Sequence, residues 1–142
     1  MADATLHCRR LRDSARLPTK GHSDDLGWDL YAESSTTVAP GTVARISTGI
    51  AVAFPDGIGA LIKDRSSMAA RGLHCLAGVI DPGYRGEILV VVANLGPDAI
   101  DIAAGDRFAQ MLLFPVVRAQ IRETRDLDDT ARGSGGFGST GA

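Results

Sequence analysis

The sequence predicts an all-β domain, a jelly-roll-like β-sandwich or distorted barrel with one short helix and a flexible C-terminal arm, and three observations carry that prediction. Val, Ile and Thr recur in short runs at 42–53, 58–62, 87–94 and 107–117, which is the composition of strands. Turn-forming clusters punctuate the runs at Pro40-Gly41, Pro55-Asp56-Gly57, Asp81-Pro82-Gly83 and Gly96-Pro97-Asp98, at intervals that suit a compact sandwich or barrel. Only residues 66–71 look helical, with Ser66 or Ser67 available as N-cap, Met68-Ala69-Ala70 behind it and Gly72 as a stop, giving about one and a half turns.

The chain has 142 residues, enough for one domain that buries most of its apolar side chains without disulfides or metal. Its formal charge of −2 gives no basic footprint for a nucleic-acid polymer, so an anionic ligand must be met by a local group of arginines. Cys8 and Cys75 show no metal or redox spacing, and His7, His22 and His74 are scattered, so none is assigned a metal role. With no signal-like start and no apolar run near 18 residues, a cytoplasmic protein with reduced thiols and no membrane partner is expected. The apolar periodicity ends after Asp129, which divides the chain into a β domain over 1–130 and a glycine-rich arm over 131–142.

That arm combines chemistry suited to a nucleotide. Gly133, Gly135, Gly136 and Gly138 let successive backbone N–H groups converge on an anion. Ser134, Ser139 and Thr140 add hydroxyls, Arg132 adds a fixed positive fork, and Phe137 offers a ring to stack on a base. The pattern from Gly133 to Thr140 approaches a Walker A loop, but it lacks the lysine and has no helix after it. A P-loop ATPase is therefore excluded.

Four further segments complete a set: Gly27-Trp28-Asp29-Leu30-Tyr31-Ala32, Arg65-Ser66-Ser67-Met68-Ala69, Gly78-Val79-Ile80-Asp81-Pro82-Gly83-Tyr84-Arg85-Gly86-Glu87, and Gly105-Asp106-Arg107-Phe108-Ala109-Gln110. In order and approximate spacing these four and the arm resemble the five motifs of the trimeric dUTPase family, over nearly the whole chain. The resemblance implies hydrolysis of dUTP to dUMP and pyrophosphate, an activity that limits uracil incorporation into DNA and supplies dUMP for thymidylate synthesis. It further implies a homotrimer with active sites shared between subunits.

Residue by residue, the resemblance makes Asp81 the general base that orients water for in-line attack at the α-phosphorus. As a residue alone, an Asp before Pro-Gly is ordinary turn chemistry. Gly78, Val79 and Ile80 would read uracil through main-chain N–H and C=O groups, and Tyr84 would lie against the deoxyribose where a 2′-OH would clash. Arg65, Ser66 and Ser67, at the start of the short helix, would meet the triphosphate, and Gln110 resembles a further phosphate contact. Asp29 would serve Mg²⁺ through water, in keeping with a cation that retains much of its hydration. The arm of one subunit would close over another's site, with Phe137 over uracil and with Arg132, Gly138, Ser139 and Thr140 at the phosphates.

Three positions depart from the family pattern: Leu26 stands where Ala precedes the glycine of the first motif, Asp64 where Gly or Pro is usual, and Cys75 where some members carry an Asn that helps hold the base. A carboxylate at 64 is placed to pair with Arg65 or to approach the metal. Phe108, Met111, Leu112 and Leu113 read as core, and Arg107 as a structural or subunit contact. Two rivals are a dCTP deaminase-like enzyme of the same fold, which would use a glutamate for amine removal, and a non-catalytic nucleotide-sensing protein.

Overall fold

Strand-forming runs become strands at nearly every expected place in the computed structural model, which describes residues 3–138 and 141. Among these residues the elements are β1 (His7–Arg10), β2 (Gly27–Tyr31), β3 (Thr36–Val38), β4 (Val43–Ser47), β5 (Ile50–Ala53), β6 (Ile58–Asp64), α1 (Ser66–Ala69), β7 (Leu73–Leu76), β8 (Val79–Ile80), β9 (Leu89–Asn94), β10 (Ile100–Ile102) and β11 (Arg107–Pro115). All pairings between them are antiparallel. They form a four-stranded sheet in the order β2-β11-β6-β8, a three-stranded sheet β4-β9-β7, and the two-stranded pairs β1-β5 and β10-β3. The sheets do not close on one another, so the architecture is the jelly-roll-like sandwich and not a barrel.

The run expected over 42–53 divides in two. Thr48 and Gly49 break it, and the halves join different sheets, β4 pairing with β9 and β5 with β1. The helix is shorter than predicted, and its cap differs. Arg65 occupies the N-cap position in extended conformation without a side-chain cap bond, so neither Ser66 nor Ser67 caps it, and both serine side chains remain exposed.

The core lies between the sheets, where Leu30, Ile50, Leu73, Ile88, Val90, Val92, Ile100, Ile102, Phe108 and Met111 are all nearly inaccessible. Burying a side chain of this kind contributes about 1.5–3 kcal/mol. Phe108 and Met111 therefore hold the predicted core role, whereas Leu112 and Leu113 are only half-buried. A register shift in β11 between Arg107 and Ala109 leaves Phe108 as an extra residue opposite β2. This bulge turns Phe108 and Ala109 inward consecutively, which strict alternation would forbid.

One buried polar side chain ties the rim of the core together. Asn94 Nδ2 donates to the carbonyls of Val38 (2.9 Å) and Asp98 (2.8 Å), and its Oδ1 accepts the Gly96 N–H at 2.9 Å. Truncation would leave the buried Val38 carbonyl, and the Asp98 carbonyl and Gly96 N–H at its edge, without that partner. Asn94→Ala is expected to lower the unfolding free energy by about 2–4 kcal/mol, read from urea denaturation.

Candidate active site

The four-stranded sheet carries four of the motifs, and its register brings three of them to one end. In β11, Gln110 stands opposite Asp29 of β2 on one side and Lys63 of β6 on the other. Beyond β6, β8 pairs through Ala60–Ile80 and Leu61–Val79. Asp29, Lys63 and Gln110, remote in sequence, are thus adjacent at one end of the sheet, whereas β8 runs away from that end toward Asp81.

Asp29 is the electrostatic centre of this end. Its Oδ1 accepts Arg65 Nε at 3.0 Å, and its Oδ2 lies 3.5 Å from Arg107 Nη1. Arg65 Nη1 also donates to the Arg107 carbonyl at 3.0 Å. Arg65, only partly exposed, is thereby held by two acceptors while the helix start with Ser66 and Ser67 follows directly. The role of Arg107 is resolved within the chain: it braces Asp29.

Gln110 is held with equal care. Its Nε2 donates to the Asp64 carbonyl at 2.7 Å, and its amide lies across Gly27. A Cβ at position 27 would stand 2.0 Å from Gln110 Oε1, which explains a glycine there in terms of space alone. Gly86 serves Tyr84 in the same manner. A Cβ at 86 would lie 2.5 Å from the Tyr84 hydroxyl, which donates to the Glu87 carbonyl at 2.8 Å.

Asp64 pairs neither with Arg65 nor with the Asp29 cluster. Its Oδ1 accepts the Cys75 N–H at 2.6 Å, and its Oδ2 lies 2.8 Å from His74 Nδ1. Burial pushes the Asp64 carboxyl up, but the hydrogen bonds from His74 and Cys75 outweigh it and hold it below the usual aspartate value. The Cys75 thiol shows the converse: burial, then the neighbouring Asp64, push it up to about 12. Cys75 is therefore a neutral, unreactive thiol at physiological pH.

The hairpin after β7 is open. Val79 is 68% exposed, and Asp81 and Tyr84 also face solvent. Asp81 closes its turn by accepting the Tyr84 N–H at its carbonyl (3.0 Å), which leaves the carboxylate outside the turn's own bonding. The Gly78 carbonyl accepts the Ile62 N–H at 2.8 Å, which ties it to the sheet.

Arg132 and Phe137 are not brought to these residues within the chain. Arg132 Nε bonds to the Gly135 carbonyl at 3.0 Å, and the Phe137 ring is fully exposed. Ser139 and Thr140 lie outside the described residues, whereas Gly138 is exposed at a left-handed φ of 81°. Among the described residues, no group of three or more His, Cys, Asp or Glu side chains could hold a metal ion. Among the described residues, no helix is long and apolar enough to cross a membrane.

The sequence did not disclose the pairing of Asp64 with His74 and Cys75, or the spatial need for Gly27 and Gly86. The departure at 64 was visible, but the partner was not, since it sits on another sheet.

Comparison with known proteins fits this geometry. The family model for dUTPase matches residues 13–141. The deoxyuridine 5'-triphosphate nucleotidohydrolase of Clostridium tetani is 39% identical over 144 residues, 99% of each chain. The dUTPase of Staphylococcus bacteriophage 80alpha, solved with dUPNHPP, superposes with a TM-score of 0.90 at 25% identity, over 97% of this chain and 99% of that one. A mutant dUTPase from phage phi11 of S. aureus, whose structure concerns coordination of a structural Mg(II) ion, shares the fold with a TM-score of 0.80 at 24% identity, over 86% of this chain and 97% of that one.

The contact between Gly27 and Gln110 is directly testable. Gly27→Ala must displace the Gln110 amide from the Asp64 carbonyl, so stability is expected to fall by about 1–2 kcal/mol in urea denaturation. The same substitution made in a Gln110→Ala background is expected to cost far less, because the obstructing side chain is gone.

Proposed function

The chain belongs to the dUTPase family, and on that footing we propose that it hydrolyses dUTP to dUMP and pyrophosphate with the residues assembled on the β2-β11-β6-β8 sheet and its hairpin. The observation that carries the residue assignment is the convergence of Asp29, Arg65 and Gln110 at one end of this sheet; β8 leads Asp81 toward the other end of β6, as suits a site whose hairpin comes from a neighbouring subunit.

Arg65, braced by Asp29, presents positive charge beside the hydroxyls of Ser66 and Ser67 for the triphosphate, and Gln110 supplies a further polar contact. Preorganised donors of this kind stabilise charge that shifts onto a leaving pyrophosphate. Asp81 holds and deprotonates the water that attacks the α-phosphorus in line. Its carboxylate faces solvent beyond the turn, where a water can be reached. The main chain of Gly78, Val79 and Ile80 reads uracil. Cytosine reverses the donor and acceptor at the edge read, and each buried polar group left unpaired costs about 1–3 kcal/mol. The Tyr84 ring, fixed by its bond to the Glu87 carbonyl, excludes a ribose hydroxyl.

Mg²⁺ is the proposed metal. Such a cation is held chiefly by substrate phosphates and water, and Asp29, a carboxylate at this end of the sheet, would reach it through water. When bound, Mg²⁺ neutralises phosphate charge and orients the chain of phosphates.

A C3 homotrimer with shared sites is the proposed assembly, in a cytoplasmic setting. Residues 116–130 lie outside the named strands and are exposed throughout, with Val117, Ile121 and Leu127 open to solvent. A lone chain leaves these apolar side chains and Phe137 uncovered, as a segment that reaches a neighbour would be. On this reading residues 131–142 act as a separate unit, with Phe137 stacked on the base and Arg132, Gly138, Ser139 and Thr140 at the phosphates.

The deaminase alternative loses its glutamate. Glu87 is bonded by Arg12 and by Ser47 Oγ (2.6 Å), within a network that includes Glu33, so its carboxylate serves the packing of loops.

Two measurements test these assignments. Pyrophosphate release in Mg²⁺, compared across dUTP, dCTP, dTTP and UTP, is expected to be confined almost entirely to dUTP; Asp81→Asn is expected to lower kcat by about 10²–10⁴-fold with KM little changed. Ammonia from dCTP, or unchanged turnover in Asp81→Asn, would overturn the mechanism. Removal of 131–142 is expected to leave the oligomer and its thermal transition intact, by light scattering and calorimetry, while turnover falls by about 10²-fold or more; persistent activity would remove the arm from the site.

A further inference from the structure

The strongest feature that the proposed function leaves unexplained is the Asp64 carboxylate. It sits where two sheets meet: β6 belongs to the four-stranded sheet, and β7, with His74 and Cys75, to the three-stranded one. No ladder joins β6 to β7, so the bonds from Asp64 to Cys75 N–H and to His74 act as a stitch between the sheets. On the backbone side, the Asp64 carbonyl is fixed by Gln110.

Immediately after Cys75 and Leu76 the chain enters an unusual link. Ala77 has φ 55° and Gly78 φ 86°. Two consecutive left-handed residues swing the chain out of β7 and into β8, which carries Val79 and Ile80. For glycine this conformation is easy; for alanine it is disfavoured by roughly 1–2 kcal/mol, so it persists only where the surroundings impose it. The link is pinned at both ends: the Cys75 N–H is held by Asp64, and the Gly78 carbonyl by the Ile62 N–H at 2.8 Å.

We infer that Asp64 is a positioning residue for base recognition, whose carboxylate clamps the β7–β8 link so that Ala77 stays left-handed and the main chain of 78–80 faces the base. Asp64 touches neither the base nor the phosphates. It acts through Cys75 and Ala77, and its influence falls on substrate affinity. Two of the departures from the family pattern, Asp64 and Cys75, are on this view one device: the carboxylate at 64 holds the backbone at 75, where some relatives use an amide side chain. The inference rests on the reading of 78–80 as the uracil-recognising hairpin.

The test is a cycle between positions 64 and 77, measured as KM and kcat for dUTP on the full-length protein. Asp64→Ala is expected to raise KM about tenfold and to leave kcat within about twofold, a loss equivalent to one hydrogen bond to a charged group. Asp64→Asn retains an acceptor for the Cys75 N–H and is expected to stay within about threefold of the parent KM. In an Ala77→Gly background, where the left-handed link no longer needs to be imposed, Asp64→Ala is expected to raise KM by only about threefold or less. An unchanged KM in Asp64→Ala, a fall confined to kcat, or an effect equally large in the Ala77→Gly background would overturn the clamp. If Asp64→Ala does not fold, Asp64→Glu, which displaces the acceptor by one methylene, carries the same cycle. Gly78→Ala separates this inference from the reading beneath it. A Cβ there meets the Ile62 carbonyl at 2.7 Å and must move the hairpin. If Gly78→Ala leaves KM and the preference for dUTP over dCTP intact, the hairpin is not the base reader; if it weakens dUTP while Asp64→Ala does not, the clamp alone falls.

Discussion

The register of β11 between β2 and β6 is the constraint on which the site depends. Gln110 faces Asp29 on one flank and Lys63 on the other, and everything polar at this end of the sheet is counted from that alignment. Asp64 and Arg65 follow Lys63 directly. A slip of one residue would turn each strand's faces over, exposing Met111 and burying Gln110. The Phe108 bulge fixes the alignment, since a bulged aromatic residue with no accessible surface fits one register only. Hydrophobic packing, which has no chemical role in the reaction, thus sets the spacing of the groups proposed to perform it.

Upon that frame the charges are arranged to hold one another still. Asp29 engages Arg65 through one oxygen and approaches Arg107 through the other, leaving Arg65 with a fixed direction and an excess of positive charge around the carboxylate. Two arginines to one aspartate leave positive charge unbalanced, and the longer pair, to the exposed Arg107, contributes little to stability. The arrangement becomes favourable when an anion arrives and completes the balance. Since the arginines are already oriented, less reorganisation opposes binding or reaction.

How much of this could be seen in the sequence follows from the range of the forces involved. Local preferences were readable: the β-branched runs became strands, and the turn clusters fell between them. The failures occurred where a distant group decides the outcome. Thr48 and Gly49 split one apolar run because its halves belong to different sheets. Ser66 and Ser67 looked like caps, but Arg65 takes the N-cap position while its side chain is committed to Asp29 and the Arg107 carbonyl. Asp64 was conspicuous as a departure, yet its partners His74 and Cys75 are brought to it only by the meeting of two sheets. The glycines at 27 and 86 resemble turn formers in sequence, but what they supply is room for Gln110 and Tyr84. Five motifs in order were enough to suggest the family; the contacts among them required the fold.

Recognition through the main chain, as proposed for 78–80, has a structural consequence. A side chain can be adjusted by substitution at its own position, but a backbone donor moves only when the chain around it moves. Selectivity in such a hairpin must therefore be maintained from outside: by the ladder to β6, by the bond from Ile62 to Gly78, and by whatever holds the entry from β7. The exposed face of Val79, Asp81 and Tyr84 is affordable because these supports lie behind it. A rigid reader open to solvent then calls for a separate cover, and the arm, with its solvent-facing Phe137, has the chemistry to supply one. Because base reading and closure are assigned to different segments, substrate can be checked at the hairpin before water is excluded around Asp81.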